Sequence, residues 1–202
     1  MKTMQSHQRA KRRRSIRLIV YDYSGAGAYF VTICAQNLES LLELPLVREL
    51  VKSVWYELPS RFPSVQLDEF VIMPNHVHGI IIMMEPVGAG PRACPNARQS
   101  EMAGQPRGVA ATSAQGPTLG QVVHWFKSFT TAKYRHGVKY KQWAPFPGRL
   151  WQRNYYERVV RNEEELHRIR EYIQTNPVRW ALDHENPDRI GDDEFDLWLA
   201  FR

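Results

Sequence analysis

The sequence predicts an α+β fold, a ferredoxin-like sandwich in which an antiparallel sheet carries helices against one face. Three observations lead there. The apolar pattern alternates between strand and helix periods in the order β-α-β-β-α-β-α. The second and third strands are joined by a turn too short for anything but a hairpin. The two later helical patterns begin at capping residues, Thr118 and Asn162.

Each element has its own grounds. "AYFVTICAQ", Ala28 to Gln36, is rich in strand formers and follows the breaker Gly25-Ala26-Gly27, so it is the first strand. From Leu46 to Leu58, apolar Leu46, Val47, Leu50, Val51, Val54, Trp55 and Leu58 recur at helical spacing, and Pro59 and Pro63 end the pattern. "LDEFVIM", Leu67 to Met73, is the second strand. Pro74-Asn75 is the turn, with proline fixing φ and asparagine tolerating a left-handed conformation. The third strand runs into Ile80, Ile81, Ile82, Met83 and Met84, a run apolar enough for burial on both faces.

Beyond Thr118, Leu119, Val122, Val123, Phe126, Phe129 and Tyr134 mark a helix to about His136. "RLWQRNYYERVVR", residues 149–161, is the fourth strand. Within it Tyr155 and Tyr156 point to opposite faces, one to the helices and one to solvent, as packing or base-stacking residues. The last helix begins at Asn162, followed by Glu163, Glu164 and Glu165, acids suited to the positive end of a helix dipole. Pro177 forces its end near Asn176.

The chain of 202 residues, 43% of them hydrophobic, fits one domain with a sizeable core. A basic arm covers residues 1–17, one domain comprises 18–84 with 118–180, and 181–202 form a tail. Residues 85–117, dense in Gly, Pro, Ala, Ser and Gln, cannot build a core and are a flexible insertion. A formal net charge of +6, from 27 Lys+Arg against 21 Asp+Glu, favours a polyanionic partner such as nucleic acid. Lys11, Arg12, Arg13 and Arg14 in the arm, and Lys127 and Lys133 on the helix after the insertion, are the candidate phosphate contacts. With only Cys34 and Cys94 there is no disulfide framework, which suits a reducing cytoplasm, and no apolar run is long enough for a membrane helix.

The candidate site starts from "PNHVHGIII". Strand alternation puts His76 and His78 on one side, where they are either a hydrogen-bonded pair or two ligands of one ion. On the last helix Leu166, Ile169 and Ile173 form the apolar stripe; Tyr172 lies about 90° round from its middle, and Asn176 shares its flank about 40° from Tyr172. That pattern alone fits a packing tyrosine and a capping asparagine as well as a site.

"MPNHVHGIII" together with "WQRNYYERVVRNEEELHRIREYIQTNPVRW" resembles the single-tyrosine HUH transposases and, within them, the REP-associated tyrosine transposases, over about Ile16 to Trp180. The resemblance implies that His76, His78 and Asn176 hold a divalent metal, magnesium or manganese, and that Tyr172 is the nucleophile. It implies attack on single-stranded or hairpin DNA with a 5′-phosphotyrosine intermediate, in a cytoplasmic, nucleoid-associated protein, and leaves monomer and homodimer open. The chemistry is coherent. A tyrosine with a reference pKa near 10 is ionised only about once in a thousand at pH 7, a deficit of roughly 4 kcal/mol, so it needs an electrophilically activated phosphate. The rival readings are a non-catalytic nucleic-acid-binding descendant of such an enzyme and a metal-dependent hydrolase. Against the hydrolase stands the lack of a carboxylate near "HVH" to serve as general base.

Overall fold

The computed structural model describes residues 26–85 and 116–200. The basic arm with Lys11, Arg12, Arg13 and Arg14, and nearly all of the expected insertion, lie outside the described residues.

Four strands, β1 (Gly27–Cys34), β2 (Val65–Ile72), β3 (His76–Met83) and β4 (Tyr156–Val160), form one antiparallel sheet in the order β2-β3-β1-β4. Between β1 and β2 lie α1 (Pro45–Tyr56) and the short α2 (Leu58–Arg61); α3 (Leu119–Tyr140) joins β3 to β4; α4 (Glu163–Thr175) and α5 (Glu194–Ala200) follow. This is the expected α+β sandwich with the expected element order. Thr118 caps α3 through a capping box with Gln121, and the Asn162 side chain accepts from the Glu165 N–H at the start of α4.

Strand alternation divides the core in two. Odd-numbered residues of β1 and β3, Tyr29, Val31, Ile33, Val77 and Ile81, pack with α1 and α3. Even-numbered Phe30 and Ile80 pack with Leu166, Ile169 and Ile173 of α4. Helices therefore cover both faces rather than one. The two crossover helices share a face because both return the chain to the same sheet, while α4, which follows the last strand, is left with the apolar even-numbered side. Arg170 of α4 holds Asp68 of β2 through two hydrogen bonds of 2.9 and 2.6 Å, fixing the helix across the sheet.

The covered second face revises three expectations. Tyr156 packs in the α4 cluster and Tyr155 against the α3 cluster, so each faces helices. The fourth strand is short, and Trp151 makes only an isolated bridge with Ala35. Residues 181–200, expected as a tail, bury Asp183, Asp193 and Phe195 on the α4 side. Among the described residues the non-glycine positions with positive φ are Asn37, Leu38 and Gln142, so Asn75, in the β2–β3 turn, does not adopt the expected left-handed conformation. At Gly79 a Cβ would lie 2.4 Å from the fully buried Trp55 ring, so this strand position needs glycine for the close approach of α1.

Candidate metal and tyrosine site

His76 and His78 occupy even positions of β3 and so face α4 instead of the α1/α3 core. In the β1–β3 register His76 stands opposite Cys34 and His78 opposite Thr32. Both rings are buried, and their Nε2 atoms lie 2.8 Å apart.

Each ring is oriented through its other nitrogen. Asn75 donates through Nδ2 to the carbonyls of Leu38 and Glu185, which fixes its amide and leaves Oδ1, 2.8 Å from His76 Nδ1, as an acceptor. His76 therefore carries its proton on Nδ1 and a lone pair on Nε2. His78 Nδ1 shares a 2.8 Å hydrogen bond with Thr32 Oγ1. Burial first, and then the neighbouring His78, push the His76 imidazole down to about 3, so it is neutral at any working pH.

Opposite the two Nε2 atoms is a carboxylate that the sequence analysis did not single out. Asp183 Oδ2 lies 3.6 Å from His76 Nε2 and 3.7 Å from His78 Nε2, and one ligand atom from each of the three residues falls within 4.8 Å of the others. Burial raises the Asp183 carboxyl, but His78 and His76 outweigh it and hold the acid below its ordinary value. These distances exceed direct hydrogen-bond reach, and Oδ2 is buried with no hydrogen-bond partner among the described residues.

Asn176 is also buried, its Oδ1 likewise lacking a partner among the described residues, and it adjoins both Tyr172 and Asp183. Two imidazole nitrogens, a carboxylate oxygen and an amide oxygen, two of these four atoms unsatisfied, fit a divalent cation.

Tyr172 lies in the same cluster. Its hydroxyl is 3.3 Å from His78 Nε2, and its ring stacks on Phe195 at 3.9 Å between centroids with 13° between planes. Burial, and then Asp183, raise the phenol well above its ordinary value, so Tyr172 is a neutral phenol without a cation nearby. Phe195 is placed by Asp193, which accepts from the Phe195 N–H at 2.7 Å and pairs with Arg179 at 2.9 Å.

His76, His78, Tyr172 and Asn176 thus come together from the hairpin and α4, and Asp183 joins them from the segment after the 3-10 turn Asn176–Leu182. Asp183 follows Pro177 by six positions, in "ALDHENPD"; its local signal is the Asx turn in which its Oδ1 accepts from the Glu185 N–H at 2.7 Å. The two lysines stand apart from this cluster. Lys127 donates to the carbonyls of Arg153 and Asn154, and Lys133 pairs with Glu57 at 2.6 Å.

No family model matches the chain. In fold it is similar to a REP-associated tyrosine transposase bound to a REP hairpin, at 17% identity and a TM-score of 0.43, over 86% of this chain and 74% of that one. It is also similar to a candidate transposase from Deinococcus radiodurans R1, at 16% identity and a TM-score of 0.42, over 81% and 97% of the respective chains. In sequence it is 38% identical over 179 residues to an uncharacterized protein of Haemophilus influenzae, covering 85% of this chain and 91% of that protein. At that identity and coverage, the chain belongs to one family with the Haemophilus influenzae protein.

Proposed function

We propose that the protein is a metal-dependent DNA strand-transfer enzyme of transposase type, which cuts and rejoins single-stranded or hairpin DNA through a phosphotyrosine at Tyr172. The observation that carries this reading is the Tyr172 hydroxyl, 3.3 Å from His78 Nε2 in the buried cluster that contains Asp183 and Asn176. A packing tyrosine has no need of four convergent metal-ligand types. The resemblance of "PNHVH" and "YIQTNP" to the HUH transposases supports the same roles.

In this mechanism His76, His78, Asp183 and Asn176 would hold a magnesium or manganese ion. When bound, that ion supplies positive charge to a non-bridging phosphate oxygen and to the developing phenolate. Asn75 and Thr32 keep the imidazoles in register. Tyr172, on the rigid last turns of α4, presents its oxygen to the phosphorus. The new bond from the Tyr172 oxygen to phosphorus forms as the bond from phosphorus to the 3′ oxygen breaks. One proton leaves the phenol and one is gained by the 3′ oxygen, giving a 5′-phosphotyrosine and a free 3′ hydroxyl. No water is consumed, so the reaction can run backward to rejoin strands.

Asp183 favours a second reading, because it supplies the carboxylate that a water-activating site needs. Incubating the purified protein with manganese and an end-labelled hairpin bearing a single-stranded flank separates the two. A labelled band at the protein's mass on a denaturing gel, lost in His78→Ala, supports strand transfer. Free cleaved ends without an adduct support hydrolysis, and retention without cleavage leaves a binding protein.

A further inference from the structure

A groove of about 630 Å³ lies between α3 and the segment that leads into β4. Its cations are Lys127, Arg135, Arg149 and Arg153, its hydroxyls include Ser128 and Thr131, and no carboxylate among the described residues lines it. Arg135, Arg149 and Arg153 are exposed and pair with no acid among the described residues. Elsewhere on the domain, half-buried Arg170 and Arg179 pair with Asp68 and Asp193, and exposed Arg189 with Asp192, while exposed Arg61 and Arg161 also lack an acid among the described residues.

Its place in the fold ties the groove to the site. Tyr156, where the segment enters β4, stands opposite Thr32, the residue that holds His78. Trp151 bridges Ala35, the Gln152 N–H donates to the Cys34 carbonyl, and Cys34 stands opposite His76. Groove and site therefore lie at the same end of the sheet, one on the α3 face and one on the α4 face. Burial lowers the Lys127 ammonium to about 8; an anion in the groove would restore it.

We infer that this groove carries the phosphodiester backbone of a single DNA strand as it leaves the His76–Tyr172 site, with Arg149, Arg153 and Arg135 on successive phosphates. This rests on the proposed function for the identity of the strand. A narrow track of cations and hydroxyls on one side of one helix suits a flexible single strand, whereas a rigid duplex needs phosphate contacts spread across a groove's width. Lys127 plays a different part: by bonding the Arg153 and Asn154 carbonyls it fastens the far wall to α3.

The test is a salt titration of oligonucleotide binding by fluorescence anisotropy, with the full chain carrying Tyr172→Phe so that chemistry does not interfere. Each phosphate contact on a single strand contributes about 0.7 to the slope of log K against log salt. Arg149→Ala with Arg153→Ala is expected to flatten that slope by about 1.4, and the paired Arg→Lys changes to keep it. Both side chains are exposed, so the variants should melt like the parent. An unchanged slope overturns the inference, as does an equal loss on a blunt duplex lacking any single strand. Adduct formation in the otherwise unaltered chain is scored separately: a flattened slope without any adduct keeps the groove and removes the strand-transfer reading, whereas an adduct with an unchanged slope does the reverse.

Discussion

Replacing Thr32 by valine removes one hydroxyl and leaves the shape of the side chain almost unchanged. Thr32 is buried, and its Oγ1 is the 2.8 Å partner of His78 Nδ1. Valine would leave that nitrogen buried and unpaired, a cost of about 1–3 kcal/mol in stability. It would also free the ring to turn, moving Nε2, the atom facing His76 and Asp183. Loss of such an orienting partner typically weakens metal binding about 10–100-fold, which is about 1.4–2.8 kcal/mol. Calorimetric titration of manganese into the unaltered and Thr32→Val proteins reads the affinity, and melting with and without metal reads both effects together. The metal-free melting point should drop modestly, and the rise on adding manganese should shrink. A manganese affinity within a factor of two of the unaltered protein, in a folded variant, would refute the view that His78 is a ligand oriented by Thr32.

Gly79→Ala places a Cβ at 2.4 Å from the buried Trp55 ring, and overpacking of this kind costs about 1–3 kcal/mol, readable as a lowered midpoint in urea. No shift would mean that the ring has room to move aside. Hydrogen bonding by Arg170 lowers the Asp68 carboxyl from its ordinary 3.8, so that pair stabilises the fold above this value and ceases to do so as pH falls through the lowered one. Asp68→Asn should therefore cost about 1 kcal/mol near neutral pH, and the gap from the unaltered protein should close in acid; a gap independent of pH would remove the ion pair from the account. Phe195→Leu should speed nitration of Tyr172 relative to the other tyrosines, because the ring stacked on it at 3.9 Å is gone. An unchanged rate would show that this stacking does not shield the phenol.

The parts of the site that lie within regular elements were legible. Strand alternation puts His76 and His78 on one side, and Tyr172 and Asn176 share a flank of a helix whose ends are marked by Asn162 and Pro177. That pattern fits packing and capping equally well, and only the resemblance to the HUH transposases singled these residues out as a site. Asp183 was not, because it stands after an irregular turn where no periodicity relates it to α4, and only the folded chain brings it opposite the histidines. For the same reason residues 181–200 read as a tail: Phe195 and Asp193 are single buried side chains in a polar stretch. Asn75 was legible as a turn residue, but its work of fixing the His76 tautomer depends on the Leu38 and Glu185 carbonyls, which are remote in sequence. The second helical face was implicit in β1, where apolar Phe30 and Cys34 alternate with Tyr29 and Ile33; a run apolar at both parities needs cover on both sides.

The central claim is that Tyr172 becomes covalently joined to DNA, and peptide mapping tests it most directly. The protein is incubated with manganese and a hairpin oligonucleotide bearing a single-stranded flank, digested with protease and nuclease, and analysed by mass spectrometry. The account predicts a nucleotide-phosphate adduct on the peptide containing Glu171-Tyr172-Ile173. It also predicts no adduct in Tyr172→Phe, which keeps the ring and its packing. An adduct on Tyr155 or Tyr156 that survives Tyr172→Phe, or DNA cleaved with no modified peptide, would contradict it.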